Sequence, residues 1–498
     1  MGTSNLIDLI IQKLGFYGST NLIYYNEISS NIFSYHTARI LKQLQPYAIY
    51  SIDSSPFILF FQEINEFKEF KELNSKIWNS QIPIVIFCNQ DKIKIINGTS
   101  LSLQNLLLDV ISEKNISDIY GNDDKFFYWN ITNEKFWCEN FKKYNSNNLN
   151  KMLLENIQSL TTKLKRDFKL PFATKLVLRL IFIRFLIDRG IDLDYLDFNT
   201  NVEKSQNEFL RIVKDKELLN DLFRHLKFKF NGNLFDLSDE CDYKSLDDEI
   251  FILLNEFFSG NICLENGQIS LFKMYDFNII PVELISNIYE IMLGRGTQKS
   301  DKAFYTPNYL VEYTLNHIFQ ADMNRKSNFT VLDPACGSGI FLVQCYRRLI
   351  EEFISEFGQI KDNRVLIDIL SNNIFGIDVN EEAIDITIFS LYLTALDYKD
   401  PKSLLNFKFP NLKNNNLIVS DFFDDEKLKA IRGQKIDFIV GNPPWGRVIN
   451  GLHMDYCKKN NKPQHNSEIS RSFIYKIEDY CNEDTVIGLI LPSKILYN

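Results

Sequence analysis

Four short apolar runs in the last third of the chain end on acidic or amide side chains, and this feature constrains the fold more than any other. Val331-Leu332 stops at Asp333 and Ile374-Phe375-Gly376-Ile377 at Asp378. Leu417-Ile418-Val419-Ser420 stops at Asp421, and Phe438-Ile439-Val440-Gly441 at Asn442. Phe341 to Phe357 and Glu381 to Leu396 have helical spacing, so strand and helix patterns alternate from Asp301 onward. Such alternation predicts a parallel sheet with helices on both faces. In a doubly wound sheet the carboxyl ends of the strands share one edge, so four polar strand ends there converge on a ligand crevice.

The first of these ends is Asp333-Pro334-Ala335-Cys336-Gly337-Ser338-Gly339. A strand that turns on two glycines into a helix lets backbone approach a ligand and leaves free N–H groups at the helix start. The dinucleotide fingerprint is incomplete, because its third glycine position holds Leu342. A tight structural turn is the bland alternative if this run is taken alone. Asp378 follows, at the second strand end, where such sheets present an acid to ribose hydroxyls.

Asn442-Pro443-Pro444-Trp445 is chemically the most specific. Two prolines fix the backbone, so the Asn442 amide oxygen and the Pro443 carbonyl can both accept from one exocyclic amine. Two acceptors pulling on its hydrogens localise the nitrogen lone pair and make it nucleophilic. Trp445 offers a flat face for a base. The bland reading is a rigid Pro-Pro turn beside a core tryptophan.

Together these motifs resemble the N6-adenine DNA methyltransferases of the gamma arrangement, in which a Phe-Tyr-Thr-Pro element precedes the Asp-Pro-Ala-Cys-Gly-Ser-Gly run. Phe304-Tyr305-Thr306-Pro307 stands in that order here. Upstream, Leu180 to Gly190, Phe230 to Phe235 and Ile288-Tyr289-Glu290 look like the helical domain of type IIG and related phage-defence methylases. The resemblance covers roughly residues 150 to 498. It implies a Rossmann-like class I S-adenosylmethionine-dependent methyltransferase sheet, with S-adenosyl-L-methionine as cofactor and double-stranded DNA as partner. By the same resemblance Tyr305, Thr306 and Pro307 meet the methionine part of the cofactor. Asp333, Ala335, Cys336, Gly337 and Gly339 line its amino-acid end, Asp378 its ribose and Asp421 its adenine. Asn442, Pro443, Pro444 and Trp445 then hold a flipped adenine for methylation at N6.

Three domains are expected: a small α/β domain at 1–145, a helical domain at 146–295 and the catalytic domain at 296–498. Tyr144 to Asn150, with four asparagines, marks the first boundary. Type IIG relatives carry a nuclease domain at the N-terminus. Asp53 and Glu63 are candidate metal ligands there, but Asn65 stands where a lysine is needed, so a degenerate nuclease-like or partner-binding module is expected. Val486 to Leu491 reads as a fifth strand, and the sequence stops at Asn498. The sheet is therefore expected to be incomplete at its C-terminus, with recognition supplied by a further segment or by a specificity polypeptide.

Composition limits the remaining choices. With 45% hydrophobic residues and no apolar run near the roughly 20 needed to cross a bilayer, the chain is expected to be globular and cytoplasmic, with no membrane partner. The eight cysteines form no C-x-x-C pair and read as buried apolar residues. A net charge of −9 is unusual for a DNA partner, but residues 151–190 hold nine Lys or Arg against three acids. A solvated helix face and a DNA-facing groove both fit that stretch. Two rivals to a free-standing DNA methylase remain: a non-autonomous methylase subunit, and a protein-glutamine methyltransferase, since those enzymes also use Asn-Pro-Pro-Tyr on an amide nitrogen.

Overall fold

The computed structural model describes residues 4–496 other than 30–31, 34, 53–54, 63–65, 90, 103–104, 106, 120, 122–123, 132–148, 231–232, 236–242, 262–271, 281–305, 307, 322–327, 359, 361, 400–406 and 464–466. The chain forms two compact units, Met1–Asn156 with Leu271–Pro281, and Ile157–Ser270 with Val282–Asn498. Asp53, Glu63, Tyr305, Pro307 and Ile288-Tyr289-Glu290 lie outside the described residues.

The first unit is built on a six-stranded sheet in sequence order: β1 (Leu22–Tyr24), β2 (Ala48–Ile52), β3 (Ser55–Gln62), β4 (Ile84–Cys88), β5 (Lys92–Ser102) and β6 (Leu107–Asn115). Only β3 and β4 pair in parallel, as the long crossover through helix α1 (Phe67–Ser80) requires; the other pairs are antiparallel. Two strands escape the apolar pattern. β1 is three residues long, and β6 is an edge strand with half-buried, charged positions whose pairing to β5 is broken by bulges. Residues 272–280 belong to this unit, where Tyr275 stacks on Trp78 (5.8 Å between rings) and accepts a hydrogen bond from Asn156 (2.7 Å).

The second unit contains helices α2 (Ala173–Asp188), α3 (Val202–Val213), α4 (Lys216–Phe230) and α5 (Asp248–Ser259), after the end of the helix Leu149–Asp167. The apolar spacing from Phe209 to Leu219 spans two of these helices. Asp215 ends the first run and accepts from the Glu217 and Leu218 N–H groups (3.0 and 3.1 Å), which restarts the helix. Every residue of α2 is buried except half-buried Lys175, the pattern of a central helix.

Several cations of the basic stretch 151–190 are engaged within the fold. Arg179 is buried, bonded to the Leu234 carbonyl (2.6 Å) and the Tyr243 hydroxyl (2.8 Å), and Arg184 is buried against Asp188 (2.6 Å). Lys165 pairs with Glu382 (3.0 Å), and Lys175 with Glu381 and Asp385 (3.5 and 3.3 Å). Lys165 and Lys175 therefore tie this helical region to a helix of the C-terminal sheet.

That sheet has five parallel strands: β7 (Val331–Asp333), β8 (Ile374–Asp378), β9 (Leu417–Val419), β10 (Phe438–Gly441) and β11 (Val486–Leu489), ordered β11-β10-β7-β8-β9. The order reverses between β7 and β10, which opens a crevice above their carboxyl ends. Helices α6 (Asn308–Ala321), α7 (Ile340–Phe357), α8 (Arg364–Asn373) and α9 (Glu381–Asp397) cover the strands, and α2 packs on α9. No described helix is long and apolar enough to cross a membrane.

Candidate functional site

Asp333 closes β7 and is almost fully buried; its Oδ1 accepts the Ala335 N–H at 3.0 Å. The turn after it is locked to the neighbouring strand, with Cys336 N donating to the Ile377 carbonyl (2.9 Å) and Gly337 N to Asp378 Oδ2 (3.0 Å). Both glycines of the turn sit in the left-handed region, Gly337 at φ +55° and Gly339 at φ +81°. They do different work. A Cβ on Gly339 would lie 2.6 Å from Thr387 on α9, whereas beside Gly337 the space is open to 4 Å. Gly339 thus permits close helix packing, and Gly337 faces the crevice.

Thr387 was not singled out by the sequence, since nothing marks a threonine on an apolar helix. Its hydroxyl donates to the Gly337 carbonyl (2.9 Å) and holds the turn from behind. Asp378 is gripped by the N–H groups of Gly337 and Asn380 (3.0 and 2.8 Å). Burial nevertheless pushes its carboxyl above the usual aspartate range, against those hydrogen bonds. Burial likewise pushes the Cys336 thiol well up, so it is an inert wall rather than a nucleophile. Asp421 lies two residues past β9, half-buried, and accepts from Phe423 N (2.8 Å). The floor beneath is apolar: Leu332, Phe375, Ile377, Ile418, Phe422, Ile439 and Phe473 share one cluster.

Across the switch point, a Cβ on Gly441 would lie 2.5 Å from Asp333 Oδ1, so only glycine lets β10 pass the buried carboxylate. Asn442 follows. Its Nδ2 donates to the hydroxyl of buried Thr306 at 3.1 Å, while its Oδ1 is buried with no hydrogen-bond partner among the described residues. A buried amide oxygen left unpaired is costly unless something else fills the acceptor, and native proteins keep few of them. The half-buried Trp445 is fixed by its Nε1 donating to the Ile490 carbonyl (3.3 Å), just past β11. The structure thus gathers Thr306, Asp333, Ala335, Cys336, Gly337, Gly339, Asp378, Asn442 and Trp445 around one strand edge through direct contacts, with Asp421 at the end of the adjoining strand.

Residues 282–498 match the N-6 DNA methylase family. The strand order of this segment, β11-β10-β7-β8-β9, is that of a doubly wound, Rossmann-like α/β sheet. Among curated relatives, "Type II methyltransferase M.BstVI" of Geobacillus stearothermophilus is 27% identical over 212 residues, 42% of this chain and 36% of that protein. "Type I restriction enzyme MjaVII methylase subunit" of Methanocaldococcus jannaschii is 25% identical over 253 residues, 50% of this chain and 36% of its own length. "Type II restriction enzyme and methyltransferase RM.Eco57I" of Escherichia coli is 23% identical over 350 residues, 58% of this chain and 35% of its own length. The chain thus spans about a third of each of these relatives. Among solved structures, the type IIL restriction-modification enzyme MmeI in complex with DNA aligns with a TM-score of 0.49 at 19% identity, covering 68% of this chain and 49% of that one.

A separate cavity, lined by Lys175, Arg179, Asn233, Glu381, Asp385 and Lys413 among others, includes none of the strand-end residues. Among the described residues, no group of three or more His, Cys, Asp or Glu is placed to hold a metal ion. The described cysteines are free thiols; Cys88, Cys336, Cys345 and Cys457 are buried.

Proposed function

We propose that this chain transfers the methyl group of S-adenosyl-L-methionine to N6 of an adenine in double-stranded DNA, as a cytoplasmic component of a restriction-modification or phage-defence system. The observation that carries the reading is the buried Asn442 Oδ1, without a hydrogen-bond partner among the described residues, beside an amide nitrogen already engaged by Thr306. The amide is thereby turned so that it presents an acceptor, not a donor, to whatever enters. An exocyclic amine fits that acceptor.

The residues also fit the cofactor. Open space beside Gly337 leaves room for backbone to approach a ligand, and each Asp378 oxygen, having accepted one N–H, retains a lone pair for a ribose hydroxyl. Bound S-adenosylmethionine supplies an electrophilic methyl on a sulfonium. The chain's own contribution is placement. Asp378 orients the ribose, Asp421 the adenine end, and the Asp333 to Gly339 turn with Tyr305, Thr306 and Pro307 the amino-acid end. Asn442 Oδ1 and the Pro443 carbonyl draw on the amine hydrogens, Pro444 stiffens the backbone and Trp445 stacks on the base. Positioning supplies most of the acceleration, and the amine proton leaves after the nitrogen becomes cationic. A second reading, a methylase subunit that needs a partner polypeptide, is favoured by the likeness to a type I methylase subunit. We also assign 1–145 as a small α/β domain, a degenerate nuclease-like or partner-binding module, 146–295 as a helical domain apart from 272–280, which belong to the first unit, and 296–498 as the catalytic domain.

The test is methyl transfer from labelled cofactor into duplex DNA, with N6-methyladenine identified by mass spectrometry of the digest. Absence of cofactor binding sinks the reading; transfer only after a partner polypeptide is added selects the second one. Replacing Asp378 with Asn should weaken cofactor affinity about 10- to 100-fold, the scale of a hydrogen bond to a charged group. Acidification should weaken it as well. Because its carboxyl titrates above the usual range, Asp378 loses its charge sooner than an ordinary aspartate as pH falls, and affinity drops with it. Equilibrium dialysis across pH checks this; a D378N protein that keeps the same pH dependence would assign the effect elsewhere.

A further inference from the structure

We propose that Glu468 is the positioning residue that fixes the strand end carrying Asn442, Pro443, Pro444 and Trp445. The proposal rests on the methylation reading above for its kinetic consequence, though not for its geometry. Glu468 is 5% exposed, 22 residues past Gly446 along the chain, yet its carboxylate gathers donors from three segments. Oε1 accepts from the Gly446 N–H (2.5 Å), directly after Trp445, and from the Ser470 hydroxyl (3.0 Å). Oε2 pairs with Lys494, from the turn that follows β11.

Backbone bonds close the same point. Gly446 accepts from Ile469 N (3.0 Å), Val448 N donates to the Ser467 carbonyl (2.9 Å), and Arg447 and Glu468 form an antiparallel bridge. The loop after Trp445 therefore leaves and returns through one carboxylate. Gly446 itself sits at φ +104°, where a side chain is strained, so its N–H needs a strong acceptor to stay in place. Burial alone would raise the Glu468 carboxyl, but the Lys494 ammonium, the Gly446 N–H and the Ser470 hydroxyl hold it below the usual range. It stays an acceptor at neutral pH. Trp445 is thus held at its ring by Ile490 and one residue further on by Glu468. A shift of that anchor moves the Asn442 and Pro443 oxygens relative to the amine, and misplacement of about 1 Å can cost on the order of 10²-fold in rate.

The test compares the full chain with Glu468→Met, which keeps volume and removes both acceptors, and Glu468→Gln, which keeps an oxygen for Gly446. Glu468→Ala replaces the Met variant if that side chain is not accommodated. Two readouts are taken: amide hydrogen exchange over residues 446–449, and single-turnover methyl transfer at saturating cofactor and DNA. In E468M, exchange should rise at least about tenfold and transfer should fall about 10- to 100-fold, with cofactor affinity within about threefold of the parent. E468Q should restore most of both. Unchanged exchange in E468M overturns the proposal, as does parental transfer despite a released amide, or an E468Q as impaired as E468M. If the parent itself transfers no methyl group, the methylation reading fails, while the exchange comparison still decides the anchor.

Discussion

Asn442→Ala should reduce methyl transfer by roughly 10³-fold while leaving cofactor affinity within about threefold, because the lost group acts on the developing cationic amine and not on the cofactor. The structure makes this expectation specific. The Asn442 amide is committed: nitrogen to Thr306, oxygen buried and without a partner among the described residues at the carboxyl end of β10. An acceptor kept dry and without a partner is preorganised, so it strengthens as the amine hydrogens become more acidic and needs no reorganisation. Asn442→Asp keeps an acceptor oxygen but removes the donor to Thr306, so its loss should be clearly smaller than that of alanine. Single-turnover transfer and cofactor dialysis on the same preparations check both. Equal losses in cofactor binding and in transfer would place Asn442 in the cofactor site and remove the amine-acceptor role.

How much of this could be read from the chain differs by region, for physical reasons. The strands β7 to β10 were legible because a parallel sheet buried on both faces demands continuous apolar runs, and each run ended on the polar residue that the site uses. Helices α7 and α9 match their expected spans within one residue at either end. Edge strands obey a weaker rule: β6 mixes Asp109, Glu113 and Lys114 into its sequence and gave no strand signal. The excess of positive charge at 151–190 fits a solvated face or a DNA-facing groove, yet three of its cations are internal: Arg184 and Arg189 are buried against acids and Arg179 against a carbonyl and a hydroxyl, which charge counting cannot see. Thr387 and Glu468 were missed for a related reason. Each matters through one long-range contact, to Gly337 and Gly446 respectively, and neither sits in a local pattern.

Asp397 at the end of α9 carries the second large expectation. It is fully buried and takes two guanidiniums, one from Arg189 just after α2 and one from Arg347 on α7 at 2.9 Å; Arg189 also donates to the Leu396 carbonyl (2.9 Å) and lies 4.1 Å from the Phe185 ring. With one carboxylate between two buried arginines, neutralising the acid takes a charged acceptor from both. Asp397→Asn should therefore destabilise the chain by about 3–5 kcal/mol, the range for breaking a buried pair. Replacing all three members by apolar residues of similar volume should recover much of that loss, since the desolvation of three charges disappears with their attraction. Urea unfolding followed by far-ultraviolet circular dichroism gives the comparison. The triad joins α2 to the helices α7 and α9 that cover the sheet, so the signal should come from the second unit. An Asp397→Asn protein within 1 kcal/mol of the parent would show that water reaches these guanidiniums, and that α2 is held to the sheet by the apolar packing of Phe182 against Phe389 (6.0 Å between rings) and Phe409 (6.0 Å) instead.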